Sequence, residues 1–566
     1  MPTIPVIDLF AGPGGLGEGF SSFKCGDTHP FKVRLSVEKD ANAYRTLKLR
    51  SFFRQFASGY VPADYYAHLR GQITLNELFE LHPEEAEAVE QEALHRELGK
   101  LDDDRVVDDH IAAVLRDTDS AWVLIGGPPC QAYSTVGRSR MKGSEDFEDD
   151  KRHFLYREYL RIILKFRPPV FVMENVTGIL SATVAGKSTI ARILKDLAKP
   201  SAAMTEENEH RSPDESSLRY RIYSLATETD PEQLEPADFV IKSEDYGIPQ
   251  ARHRVILLGV RDDVEARPGT LEPHEKRISV GDVISDLPVL RSRLSKETDS
   301  DCAWQEAVAS VAYQEWLEGI DEDLKAEIWA AVARMDGALG HGEQFVAGGV
   351  APLHNKDWYY DAKLLGVCNH MSRGHIKSDL HRYFFVACYG EINSVSPRMR
   401  HFPKALLPNH DNVQKAVQGK MFPDRFRVQV RGAVATTITS HISKDGHYFI
   451  HYDPCQCRSL TVREAARIQT FPDNYYFEGD RTPQYKQVGN AVPPLLARQI
   501  AAIVHQVLED ASGDLGDNGH SEQREEKLEY VADSLQEHQA GTGGAVHAAP
   551  DGVSLPRPLC ETAGKA

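Results

Sequence analysis

The chain has 566 residues, of which 41% are hydrophobic and 26% charged, the balance of an ordinary globular protein long enough for two or three domains. No apolar run approaches bilayer length and the first residues lack the basic and apolar regions of a signal peptide, which argues against a membrane-embedded protein, and the eight cysteines are scattered, which fits a reducing cytoplasm better than a disulfide framework. The net charge of −19 does not exclude a nucleic-acid partner, because it is unevenly placed. Residues 77–119 hold fifteen acidic and four basic side chains, and residues 509–566 twelve and four. Residues 340–455 hold fourteen basic, nine acidic and ten histidine residues, a locally basic surface.

In chain order, an apolar strand from Pro5 to Phe10 runs into Ala11-Gly12-Pro13-Gly14-Gly15-Leu16 and then a helix. A glycine-rich turn lets a ligand approach the backbone, and the helix start offers unpaired N–H groups. Alone, such a turn is a weak signal. Val33 to Glu38 reads as a second strand ending in a carboxylate 23 residues after Gly15, a spacing that suits an acid on a ribose diol. The pair points to an adenosine-containing cofactor without choosing between a dinucleotide and S-adenosylmethionine. Residues 76–100, rich in Glu and Ala, read as a solvated surface helix or helical pair. Asp109 lies ahead of the next strand, in reach of the cofactor's base.

That strand, Trp122-Val123-Leu124-Ile125, delivers Gly126-Gly127-Pro128-Pro129-Cys130-Gln131 to its carboxyl end, where open α/β sheets bind ligands. Two prolines stiffen the turn before the thiol. Cys130 is therefore either a nucleophile or, as buried cysteines commonly are, a small hydrophobe. Residues 132–150 read as a loop beside the site, with Arg138 and Arg140 able to meet phosphates. A helix over about 153–166 leads to the strand Val170-Phe171-Val172-Met173-Glu174-Asn175-Val176. A carboxylate ending a buried strand is costly unless paired or working, so Glu174 is either a capping acid or a general acid. Gly186-Lys187-Ser188 is not a phosphate loop, since position 181 is Ser where that motif needs Gly.

Gln250-Ala251-Arg252-His253-Arg254 precedes another apolar strand, placing two arginines for an anion or a carbonyl oxygen. Strand–helix alternation then fades. Residues 265–455 read as an inserted substrate-recognition domain with helices over about 301–335. Periodicity returns at 458–469, with a capping box between Thr461 and Glu464. Gln487-Val488-Gly489-Asn490-Ala491-Val492 opens a closing helix to about 508. Residues 509–566 read as a disordered acidic tail. Cys455-x-Cys457 has no second pair, so no metal is expected.

Six segments together resemble the DNA (cytosine-5) methyltransferase family, in the family's order: Asp8-Leu9-Phe10-Ala11-Gly12 to Gly15, Pro128-Pro129-Cys130-Gln131, Glu174-Asn175-Val176, Gln250-x-Arg252-x-Arg254, Arg463-Glu464-Ala465-Ala466-Arg467 and Gln487-x-Gly489-Asn490. The resemblance covers about 5–262 and 456–505. It implies an α/β fold: a Rossmann-like S-adenosylmethionine-dependent methyltransferase domain built from 1–264 and 456–508, with a mixed target-recognition domain inserted at 265–455.

On this resemblance Cys130 is the nucleophile that adds to cytosine C6, Glu174 the acid on N3 and the exocyclic amine, and Arg254 the holder of the base O2, with Arg252 bordering the site. S-adenosyl-L-methionine would be held by Asp8, Phe10, Ala11, Gly12, Gly14, Gly15, Leu16, Glu38, Asp109, Asn490 and Val492. A stacked base is out of reach, so the resemblance also implies flipping the cytosine out of duplex DNA. It implies a cytoplasmic, monomeric enzyme of restriction-modification or phage defence, alongside a cognate endonuclease. The alternatives are a tRNA methyltransferase of the same family and a catalytically silent DNA-binding regulator.

Overall fold

The computed structural model describes residues 3–57, 59–116, 121–129, 155–184, 187–204, 218–335, 339–349, 351–352, 354–410, 412–420 and 422–513. Its centre is an eight-stranded sheet. The strands are β1 (Ile4–Leu9), β2 (Phe31–Glu38), β3 (Ala93–His95), β4 (Val123–Gly126), β5 (Val170–Val176), β6 (Tyr220–Tyr223), β7 (Val240–Lys242) and β8 (His253–Arg261). They lie in the order β3-β2-β1-β4-β5-β8-β6, with β7 also on β8. The first five are parallel, and β8 runs antiparallel to β5 and to β6 and β7. The register sets Leu9 beside Gly126, Gly126 beside Met173, and Glu174 beside Ile256.

The near-continuous apolar runs of β1, β4 and β5 are those of strands buried on both faces. One face carries Ile7, Leu9 and Leu124 against Val107 and Ile111 of α6 (Leu101–Arg116) and Tyr159 and Ile163 of α7 (Tyr156–Phe166). The other carries Val6, Val123 and Ile125 against Leu16 and Phe20 of α1 (Gly15–Ser22) and Leu496, Ile500 and Val504 of a closing helix at Pro494–Gly513. By length and hydropathy the stretch Arg481–Ser512 could cross a membrane, but 72% of its apolar window is buried inside the protein. It is a core helix of this fold.

The acidic stretch is more than a solvated pair. After α2 (Ala41–Arg54) come α3 (Ala63–Leu69), α4 (Leu75–Leu81) and α5 (Pro83–Glu92), and the chain then adds β3 to the sheet edge. Tyr65, Leu69, Leu78 and Val89 pack with Phe52 and with Leu364 and Cys368 of the inserted region. Tyr66 Oη donates to Asp361 at 2.7 Å across the same contact.

The inserted region has its own core of Trp304, Ile328, Phe384, Phe385, Phe426 and Ile450, built on α8 (Asp301–Ala309), α9 (Glu322–Arg334) and α10 (Lys377–Asn393). The segment expected to close the catalytic domain divides between cores. Leu460, Ala465 and Phe471, around α11 (Val462–Ile468), and Tyr485 of α12 (Arg481–Asn490) share a core with Val283 and Ile438. Val492 and α13 (Pro494–Gly513) return to the sheet. Thr461 and Glu464 form the expected capping box.

Candidate active site

β4 ends at Gly126, where a side chain has no room: a Cβ there would stand 2.5 Å from the Leu9 carbonyl oxygen. Residues 127–129 then follow the carboxyl edge of the sheet. Asn175 Nδ2 donates to the Pro128 carbonyl at 3.3 Å, and the Cβ position at Gly127 is 3.3 Å from Glu174 Oε2. The end of β4 is thus laid against the end of β5, with the Glu174 carboxylate beside it. Cys130, Arg138 and Arg140 lie outside the described residues.

Arg254 Nε is 3.0 Å from Glu174 Oε1, and both side chains keep a little exposure, 14% and 12%. The pair is close but poorly aligned: Arg254 Nε has no partner in hydrogen-bond geometry. Burial lowers the guanidinium pKa, and the Glu174 charge opposes that shift. Arg252 does something else. It is 1% exposed, and its Nη1 donates to the carbonyls of Ile438 (2.9 Å) and Gly489 (3.3 Å) while Nη2 reaches Asn490 O at 3.5 Å. Burial, and next the Arg254 charge, hold its pKa well below the usual range. The Arg252 guanidinium is thus closed in by three main-chain oxygens, whereas Arg254 stands at the Glu174 carboxylate.

A sequence model of the C-5 cytosine-specific DNA methylase family matches residues 101–200 and 239–506. The type II methyltransferase M.Bpa9945I of Bacillus paralicheniformis is 34% identical over 522 residues, covering 89% of this chain and 99% of that protein. The type II methyltransferase M.AgeI of Thalassovita gelatinovora is 25% identical, covering 88% of this chain and 98% of that one. The DNA (cytosine-5-)-methyltransferase M.ApeKI of Aeropyrum pernix is 26% identical, covering 69% and 82%.

The chain belongs to the C-5 cytosine-specific DNA methylase family. It is a DNA (cytosine-5-)-methyltransferase, and its methyl donor is S-adenosyl-L-methionine.

The chain of this methylase fits that donor at the ends of β1 and β2. Phe10 leaves β1 with φ +56°, in the left-handed region, and keeps partial exposure, as do Ala11 and Gly12. Gly12 also has a positive φ (+58°), and a Cβ there would meet open space. The Glu38 carboxylate accepts the N–H groups of Gly12 (2.9 Å), Lys39 (2.9 Å) and Asp40 (2.7 Å). Three of its roughly four lone-pair sites are taken, which aims the acid and leaves capacity for a hydroxyl. Burial raises its pKa, and the same three amides pull it back.

Around this turn several side-chain positions are buried. Asp8 has no exposed surface and no well-aligned hydrogen bond. Burial pushes its carboxyl up to about 8, against the Arg54 charge and the Gly17 N–H. Leu16 is core. Gly14 (φ +92°) packs where a Cβ would stand 2.8 Å from Leu47 Cδ2, and a Cβ on Gly15 would stand 2.2 Å from the Val492 carbonyl oxygen. Val492 is itself buried, so its main chain seats the β1–α1 turn, while Asn490 is exposed beside it.

Asp109 lies on α6. It sits on the exposed face of α6, opposite Val107, Asp108 and Ile111, eight residues and roughly 12 Å beyond the helix start. The sheet edge next to Glu38 is held by β3, whose His95 is stacked on Tyr44 at 4.9 Å.

Other supports find partners far along the chain. Gln250 is fully buried, with Oε1 accepting the Ile438 N–H at 3.1 Å and Nε2 donating to Ile468 O at 3.1 Å. Tyr475 Oη donates to the Pro13 carbonyl. Their partners are 188 to 462 residues away in the chain, so only the fold reveals them.

Proposed function

We propose that this methylase modifies C5 of one cytosine within a specific duplex DNA sequence, through a covalent bond between Cys130 Sγ and C6, as the modification partner in restriction-modification or a related phage defence. Cytosine C5 is a weak nucleophile. Addition of the Cys130 thiolate to C6 moves electron density to C5 and makes it enamine-like. Glu174 holds N3 and the exocyclic amine as charge builds in the ring, and Arg254 holds the base O2. When bound, S-adenosylmethionine supplies an electrophilic methyl group on sulfonium at the β1–β2 edge. Loss of the C5 proton then expels the Cys130 thiolate and restores the aromatic ring.

The observation that carries this reading is the meeting of residues 127–129, Glu174 and Arg254 at one edge, with the chain running on from Pro129 into Cys130. The base would have to leave the stack to reach them. Recognition is assigned to residues 265–455, which carry the locally basic surface, and catalysis to the segments on either side. The enzyme is taken to act as a monomer in the bacterial cytoplasm with a cognate endonuclease.

The test is a duplex carrying 5-fluorocytosine. Fluorine at C5 cannot leave as a proton, so a live thiolate is trapped on DNA and migrates as a denaturant-stable adduct. Wild type should form it and Cys130→Ser should not. Normal methyl transfer by Cys130→Ser would defeat the mechanism. Bisulfite sequencing of plasmid from an expressing host gives the modified atom and its context, and labelled tRNA offered in parallel separates an RNA substrate.

A further inference from the structure

At the amino ends of the strands, on the opposite edge from Glu38 and Glu174, lies a trio that the methyl-transfer chemistry does not use. Cys25 stands on the tight turn between α1 and β2. Its N–H donates to Thr28 O (3.0 Å), Thr28 N–H returns the bond (3.2 Å), and Gly26 takes φ +58° to close the turn. Facing it on α13 are His505 and Glu509, one helical turn apart, with His505 Nδ1 3.6 Å from Glu509 Oε2. One ligand atom from each residue lies within 4.8 Å of those of the other two. Among the described residues no other group of three such side chains meets that spacing.

We propose that Cys25, His505 and Glu509 form a zinc site that staples the amino-terminal turn to the closing helix. The donor set is one sulfur, one imidazole nitrogen and one carboxylate oxygen. Magnesium and calcium prefer all-oxygen shells, whereas zinc takes this mixture, with three protein ligands and water in a fourth position. Charge balances: zinc brings two positive charges, the thiolate and carboxylate one negative charge each, and the Cys25 proton goes to solvent on binding. Ligands around tetrahedral zinc stand roughly 3.3–3.6 Å apart, given bond lengths of about 2.0–2.3 Å. The present spacing therefore needs only small rotations. Cys25 and Glu509 are exposed and can make them, while the His505 ring is fixed by Phe23 and Phe31 at 5.5 and 5.9 Å.

The role is structural. β2 is eight residues long, so the trio and Glu38 are separated by roughly 25 Å of strand. α13 packs along α1 and follows directly on Val492, the seat of Gly15. A metal that binds only the folded chain would stabilise this junction by mass action.

The test uses the full-length enzyme, stripped with chelator and dialysed against buffered free zinc. Other thiols, Cys130 among them, also bind zinc, so the reading is the difference between wild type and variants. Wild type should retain one more zinc per chain than Cys25→Ser and than Glu509→Gln. Zinc should raise the melting temperature of wild type and not that of either variant, with methyl-transfer kcat/KM unchanged in all three. Both substitutions are at exposed positions. Equal zinc content in wild type and either variant, or an equal thermal shift, would reduce the trio to a surface thiol beside a helical His–Glu pair and overturn the proposal.

Discussion

Arg252 and Arg254 are separated only by His253, yet Arg252 is closed in by the carbonyls of Ile438, Gly489 and Asn490 while Arg254 stands 3.0 Å from Glu174. One guanidinium ties the inserted region and the end of α12 to the sheet, and the other belongs to the reacting edge. A lysine keeps the charge but not the planar fork. Arg252→Lys should therefore cost on the order of 2 kcal/mol in urea unfolding, because buried carbonyls lose partners. Arg254→Lys should unfold much like wild type but methylate far more slowly. Equal unfolding midpoints for Arg252→Lys and wild type would remove the assigned division of labour.

Glu174→Gln keeps the shape of the side chain and removes its charge. If the acid offsets charge in the ring, single-turnover methyl transfer should fall by roughly 10²- to 10⁴-fold. Affinity for DNA and for the donor should stay close to wild type, since the Gln250 and Arg252 supports are untouched. A comparable loss of DNA affinity would instead make Glu174 a binding residue.

The contrast between these arginines marks where sequence reading stops. The strands β2, β4 and β5, which carry Glu38, Gly126 and Glu174, are apolar runs bounded by turn residues, so they are legible from pattern alone, as is the Thr461–Glu464 cap. β3 is three residues inside an acidic helical stretch, too short for any periodicity. Gln250 and Arg252 belong to the same motif as Arg254, but whether each meets a carbonyl or a carboxylate depends on residues 438 and 489–490, brought there by folding. Gly14 and Gly15 read as a ligand cradle. A side chain at either position would collide with Leu47, Tyr475 or Val492.

Gly15→Ala tests that last point. The added methyl would stand 2.2 Å from the Val492 carbonyl oxygen, a backbone atom that cannot swing away. Overpacking of this kind costs about 1–3 kcal/mol. The melting temperature should fall even without donor, and donor affinity should weaken because the β1–α1 turn is displaced. An undisturbed melting temperature with weakened donor binding would return Gly15 to direct donor contact.

Asp8 gives a prediction in pH. Its carboxyl is pushed by burial from an ordinary value near 3.8 to about 8. Between these values the folded chain keeps a proton that the unfolded chain releases. The stability from this group is complete below about pH 4, declines as pH rises, and is gone above about pH 8, with a slope of at most about 1.4 kcal/mol per pH unit. Asp8→Asn cannot ionise, so the variant should gain on wild type as pH climbs from 5 to 8. Any fixed packing penalty of the amide shifts its curve without changing that slope. Urea unfolding of donor-free enzyme across this range is the measurement, and parallel wild-type and variant curves would mean that the β1 carboxylate is charged in the folded chain.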